Sequence, residues 1–181
     1  MPLSLTIGNL DKVLAEIKSY PKDIERIINN EFTAFGEGTA NDAKRNAPVN
    51  EGALRESINY LPDVENMRVS VGAYIEYAAY LEFGTKAFAE AYVATLPEDW
   101  QAFAAEHKGG GEGTFAELIQ AIMKWVELKG IATGKDIKQA SYLIARKIVR
   151  EGIHAQPYLY PAFEKNKLEL IENLKAQLNA K

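Results

Sequence analysis

Between Pro21 and Pro48 one apolar stripe runs almost unbroken. Ile24, Ile27, Ile28, Phe32 and Phe35 recur at the spacing of a single helix face, and Ala40, Ala43 and Ala47 fall close to the same face. Proline suits the first turn of a helix, so Pro21 opens this one. The residue before a proline is driven out of the helical region, so Pro48 ends it. Gly36 and Gly38 each weaken it by about 1 kcal/mol relative to alanine. The spacing still predicts one long helix, reaching about Arg45. Any fold of this chain must lay its other elements along that stripe.

The neighbouring segments carry readable signals. Leu10, Val13, Leu14 and Ile17 have helical spacing behind the capping types Asn9 and Asp11. After the turn residues Asn50 and Gly52, Ser57–Leu61 and Arg68–Val71 read as two antiparallel strands joined through Pro62, Asp63 and Asn66. Tyr77, Tyr80 and Leu81 predict two helical turns closed by Gly84. Pro97, Glu98 and Asp99 mark a helix start, with acids where the dipole favours them. GGGEG at 109–113 reads as a flexible connector.

Two strong helices follow. Thr114 and Glu117 form a capping box before Phe115, Leu118, Ile119, Ile122, Trp125 and Val126. The second helix carries Ile137, Ala140, Ile144 and Ile148. Gly130-Ile131 and Gly152-Ile153 both predict a Schellman ending, and the short link between the helices predicts a hairpin. Pro161 opens a last helix with Phe163, Leu170, Ile171, Leu174 and Leu178 as its stripe.

Composition narrows the chemistry. The chain has no cysteine, which excludes disulfides, thiolate nucleophiles and cysteine-ligated zinc. Its net charge of -4 gives no general attraction to phosphates or anionic lipid. No apolar run approaches the roughly 18 residues that span a bilayer. MPLSLTIGNLDK reads as neither signal peptide nor anchor. The two histidines, His107 and His154, lie far apart and outside any metal-ligand spacing. Lys135 follows Gly134, but the remaining residues of a phosphate loop are missing.

Two constellations need weighing. Lys135, Lys138, Arg146, Lys147 and Arg150 make the second hairpin helix locally basic. They form a candidate partner surface: either phosphate contacts of a small DNA-binding protein using the 115–151 helix pair, or a solvated helix face. Glu82 stands alone among Tyr77, Tyr80 and Phe83. Apolar surroundings would raise its pKa and suit a general acid. A structural acid paired with Arg55 is the preferred reading, and that pair would lower the pKa. On this reading the short helix packs Tyr77, Tyr80 and Phe83 into the core.

Four blocks, taken together and in order, resemble one family. They are Ala47 and Pro48; Gly52, Leu54, Arg55, Ser57 and Ile58; Tyr77, Ala78, Tyr80, Glu82, Phe83, Gly84 and Thr85; and Pro157, Tyr158, Leu159, Pro161 and Ala162. This pattern resembles the neck, head–tail joining and tail-completion proteins of tailed bacteriophages with long non-contractile tails. The resemblance implies an α+β fold: a long N-terminal helix, a small antiparallel β-sheet and a C-terminal helix. The core would comprise residues 1–85 and 154–181. Residues 86–153 would be a mainly helical insertion carrying the hairpin, where compact members have a short connection.

The resemblance also implies a non-enzymatic virion protein without a cofactor. Such a protein forms a homo-oligomeric ring, expected to be a hexamer, at the head–tail junction. Its partners would be head-completion or connector proteins and tail-tube or tail-terminator proteins, with genomic DNA only in transit and no membrane. It would be found in the neck or tail of the virion, and in the host cytoplasm during assembly.

Overall fold

A computed structural model describes residues 3–7, 22–49, 52–75, 77–107 and 114–179. The expected helix at Leu10–Ile17, the turn residue Asn50 and the connector at 109–113 lie outside these residues. In chain order the elements are β1 (Leu3–Ile7), α1 (Lys22–Asn46), α2 (Ala53–Ser57), β2 (Ile58–Asp63), β3 (Arg68–Ala73) and α3 (Ala78–Phe83). They continue with α4 (Lys86–Val93), α5 (Glu98–Glu106), α6 (Phe115–Leu128), α7 (Asp136–Glu151) and α8 (Leu159–Asn179). The class is α+β. The chain divides into two compact units: Met1–Glu82 with Gln156–Lys181, and Phe83–Ala155.

The first unit is built on α1. Its stripe buries Ile27, Ile28, Phe32, Phe35, Ala40 and Ala43. One side of α1 covers an antiparallel sheet of order β1-β3-β2. Ile58 pairs with Ala73, Tyr60 with Val71 and Pro62 with Val69, and Leu3–Ile7 pairs with the other edge of β3. Strand side chains alternate between faces, so Ile58, Val69, Val71 and Ala73 share the buried face. Pro62 is tolerated because β2 is an edge strand, where a missing N–H breaks no internal ladder.

The other side of α1 packs on α8. Phe35 and Phe163 meet edge to face, with ring centroids 5.4 Å apart. Asp42 lies on the buried face among alanines. Its carboxylate accepts from Lys165 Nζ at 2.9 Å, from Asn166 Nδ2 at 2.9 Å and from the Arg45 guanidinium. Burial alone would raise the Asp42 pKa, but the bonds from Arg45, Lys165 and Asn166 overcome it and hold the value at about 2, against an ordinary 3.8.

The two glycines of α1 have a packing reason. A Cβ on Gly36 would stand 2.5 Å from Val69 Cγ2 and 3.0 Å from Tyr60 Cδ2. A Cβ on Gly38 would stand 2.5 Å from Asn166 Oδ1. The helix gives up propensity at both places so that the sheet and α8 can approach its backbone.

In the second unit, Phe83, Trp100 and Phe103 make mutual edge contacts with centroids 5.7 to 6.5 Å apart. Elsewhere in that unit α6 and α7 form the expected hairpin, closing Ile122, Val126 and Ala145 under Leu118, Ile119, Ile137, Ile144 and Ile148. Thr114 and Glu117 form the capping box. The α6 end is a Schellman turn: Ile131 N–H donates to Val126 O at 3.0 Å, with Gly130 at φ 63°.

The α7 end departs from the Schellman expectation. Gly152 N–H closes on Ile148 O at 2.8 Å, but Ile153 N–H donates instead to Thr85 Oγ1 at 2.8 Å. Gly152 is needed there because Thr85 O lies 2.5 Å from where a Cβ would be, and because its φ is 95°.

Two measurements check this packing. Gly36→Ala should destabilise by about 1–3 kcal/mol despite the better helix former, since the stiff Val69 side chain must move. Urea unfolding midpoints read the effect. Asp42→Asn should cost about 1–3 kcal/mol at neutral pH. Because the folded pKa is depressed, the stabilisation is present above about pH 4 and is lost as pH falls through about 2. The wild-type advantage over Asp42→Asn, measured across that range, should vanish at the acid end.

Candidate functional site: the Glu82 clamp

Glu82 is fully buried in α3. Its Oε2 accepts the backbone N–H groups of Tyr158 and Leu159, each at 2.8 Å, and its Oε1 accepts the N–H of Tyr160 at 2.9 Å. These amides open α8. The first N–H groups of any helix lack an intrahelical partner, and the helix dipole favours an anion there. One carboxylate therefore caps a helix that lies 76 to 78 residues further along the chain. A neighbouring bond runs from Gln156 N–H to Leu81 O at 2.7 Å.

The expected Arg55–Glu82 ion pair does not form. The Arg55 guanidinium donates from Nε and Nη2 to Ala47 O, at 3.4 and 3.3 Å, and so ties α2 back to the end of α1. The physical reason is local: three amide donors already occupy most of the acid's acceptor sites, and a two-pronged guanidinium would have to displace one of them. The direction of the pKa shift reverses with it. Burial pushes the Glu82 carboxyl above its ordinary value, against the pull of the three amide bonds. Each contact it makes is as an acceptor, so the geometry is complementary to the carboxylate. Beside it, burial, followed by the charges of Glu82 and Tyr77, holds the Tyr158 phenol above its ordinary range.

The other motif residues divide between the two units. In the first, Gly52 takes φ 91° to start α2, Leu54 is buried, and Pro48 is half-buried. Tyr158 and Leu159 are fully buried, and Tyr158 OH donates to Ala78 O at 3.4 Å. Pro157 is half-buried and Pro161 exposed, the latter in the first turn of α8, where its missing N–H leaves no gap. Tyr77 is 41% exposed and Tyr80 half-buried, so Ala78 and Ala79 fill the core positions assigned to the tyrosines.

In the second unit Phe83 is buried. Gly84 sits at φ 76°, with Ile153 O and Ala155 N each 2.8 Å from a Cβ position. Thr85 N–H donates to Ile153 O at 2.9 Å. Lys135, the residue before α7, and Lys138, Arg146, Lys147 and Arg150 on it are all exposed, and Lys147 and Arg150 lie against Glu151.

Chemically, the clamp is a capping device. The acid has neither solvent access nor a titrating neighbour among its hydrogen-bond partners, so it is not placed as a general acid. Sequence reading missed the Asp42–Lys165–Asn166 network. Its signal was a charged residue lying between Ala40 and Ala43 on an apolar helix face.

Glu82→Gln should destabilise by about 1–3 kcal/mol, because one arm of the amide must point a donor at another donor. Glu82→Ala, which strands all three amides beside a cavity, should cost about 3–5 kcal/mol. Chemical denaturation of the three proteins reads both.

Residues 11–84 match the family described as "Bacteriophage HK97-gp10, putative tail-component". No curated protein and no solved structure matches the chain. The matched stretch contains α1, α2, the β2–β3 hairpin and the acid of the clamp. Over residues 11–84, less than half of its length, the chain is thus similar to the HK97-gp10-like family of putative bacteriophage tail components.

Proposed function

We propose that this protein is a structural component of the virion of a tailed phage or prophage, assembled as a ring at the head–tail junction through which DNA passes. The observation that carries the reading is the family match over residues 11–84. Two physical features support it. The buried acid that could have been a catalyst spends its acceptors on the start of α8. The net charge of -4 gives a protein near DNA little grip on phosphate, and each phosphate contact would add salt-dependent retention. Self-association and binding to connector and tail-tube or tail-terminator proteins are then its activity, with the virion neck or tail as its place.

The DNA-binding reading of the 115–151 helix pair has less support. Two of its five cations are paired with Glu151, and large apolar side chains stand exposed among the rest.

Sedimentation velocity and native mass spectrometry of the full chain test the proposal, alone and with the connector and tail-tube proteins encoded beside it. Rings, or ring-sized complexes formed with a partner, are expected. A strictly monomeric chain that binds neither partner overturns it.

A further inference from the structure

The outward side of α7 differs from an ordinary solvated face. Ile137, Ala140, Ile144, Ala145 and Ile148 turn toward α6. Tyr142, Leu143 and Val149 lie on the remaining arc and are 47%, 55% and 49% exposed. Lys138 and Arg146 share that arc, since steps of three and four residues return a helix to one side. Neither makes an ion pair among the described residues, whereas Lys147 and Arg150 lie against Glu151. Phosphate binding needs the cations and has no use for the leucine and valine. A face both apolar and positive is complementary to a partner both apolar and negative.

The β2–β3 tip has that chemistry. Residues 61–66 are all exposed, with Leu61 at 56% and Val64 at 58%. Asp63 and Glu65 flank Val64. The tip is also held in shape. Pro62 fixes one backbone angle. The Asp63 carboxylate accepts the Asn66 backbone N–H at 3.2 Å and its side-chain amide at 2.8 Å. Met67 is buried at its root. A tip ordered in advance loses little entropy on docking.

We infer that the outward face of α7 receives the 61–65 tip of a second copy of this chain. Leu61 and Val64 lie against Tyr142 and Leu143, and Glu65 faces Arg146. The contact joins two different surfaces. Each docked copy therefore still offers one of them to a further copy, and the contact repeats. The inference rests on the self-association proposed above and names its surfaces.

Sedimentation velocity of the full chain tests it, comparing wild type with Arg146→Glu, Glu65→Arg and the double reversal. Each single reversal should weaken self-association by about tenfold or more, and the double should recover most of the loss. Leu143→Ser should weaken it as well. All three positions are exposed, so circular dichroism and melting curves should match wild type. If wild type associates and every variant associates equally well, these surfaces are not the ones used, while self-association stands. If wild type stays monomeric at every concentration, the inference falls, while the proposed ring falls only if no complex forms with either partner protein. Binding of duplex DNA that Arg146→Glu abolishes would assign the α7 face to phosphate and overturn the inference.

Discussion

The first unit depends on a single carboxylate meeting the start of a helix. Helix α8 begins where water cannot reach its free amides, since Tyr158 and Leu159 are fully buried. An unsatisfied N–H in such a place costs as much as a lost hydrogen bond, and an unpaired buried charge costs more. Glu82 and the three amides cancel each other's penalty. The exchange also fixes geometry. With its first turn held, α8 can only run in one direction, which brings Phe163 to Phe35 and Asn166 to Asp42.

The second constraint is closeness. The two glycines of α1 let other elements approach the helix axis. Gly36 admits Val69 and Tyr60 from the sheet, and Gly38 admits Asn166 from α8. Close approach then makes the buried polar network possible. Asp42 could not accept from both Lys165 and Asn166 if a larger side chain held the two helices apart.

What could be read in the sequence follows from this. Helix α1, the β2–β3 hairpin and the α6–α7 pair announce themselves, because their apolar patterns are sustained and are bounded by prolines, turn residues or a capping box. The partner of Glu82 does not, because a backbone amide has no letter, and a buried acid invites a search among cations. That search found Arg55, whose guanidinium serves Ala47 instead. The same blindness explains the α7 ending, where a glycine followed by isoleucine looks like Gly130-Ile131 but is governed by Thr85. Strand β1 does have a signal in the sequence, since Leu3, Leu5 and Ile7 alternate with polar residues. Helix α2 spans only 5 residues, and α4, with 8, has no fully buried side chain, so neither carries a clear apolar stripe.

The crossed bonds between Thr85 and Ile153 join residues 68 apart in sequence. A chain pinned at both ends in this way behaves as a closed loop. The entropy of closing a loop grows only with the logarithm of its length, so doubling what lies between would add roughly 0.6 kcal/mol. Gly84 and Gly152, with their positive φ angles and tight surroundings, act as the hems of a socket. Added length between them therefore costs little closure entropy, and the chain can grow there without disturbing the two ends that hold it.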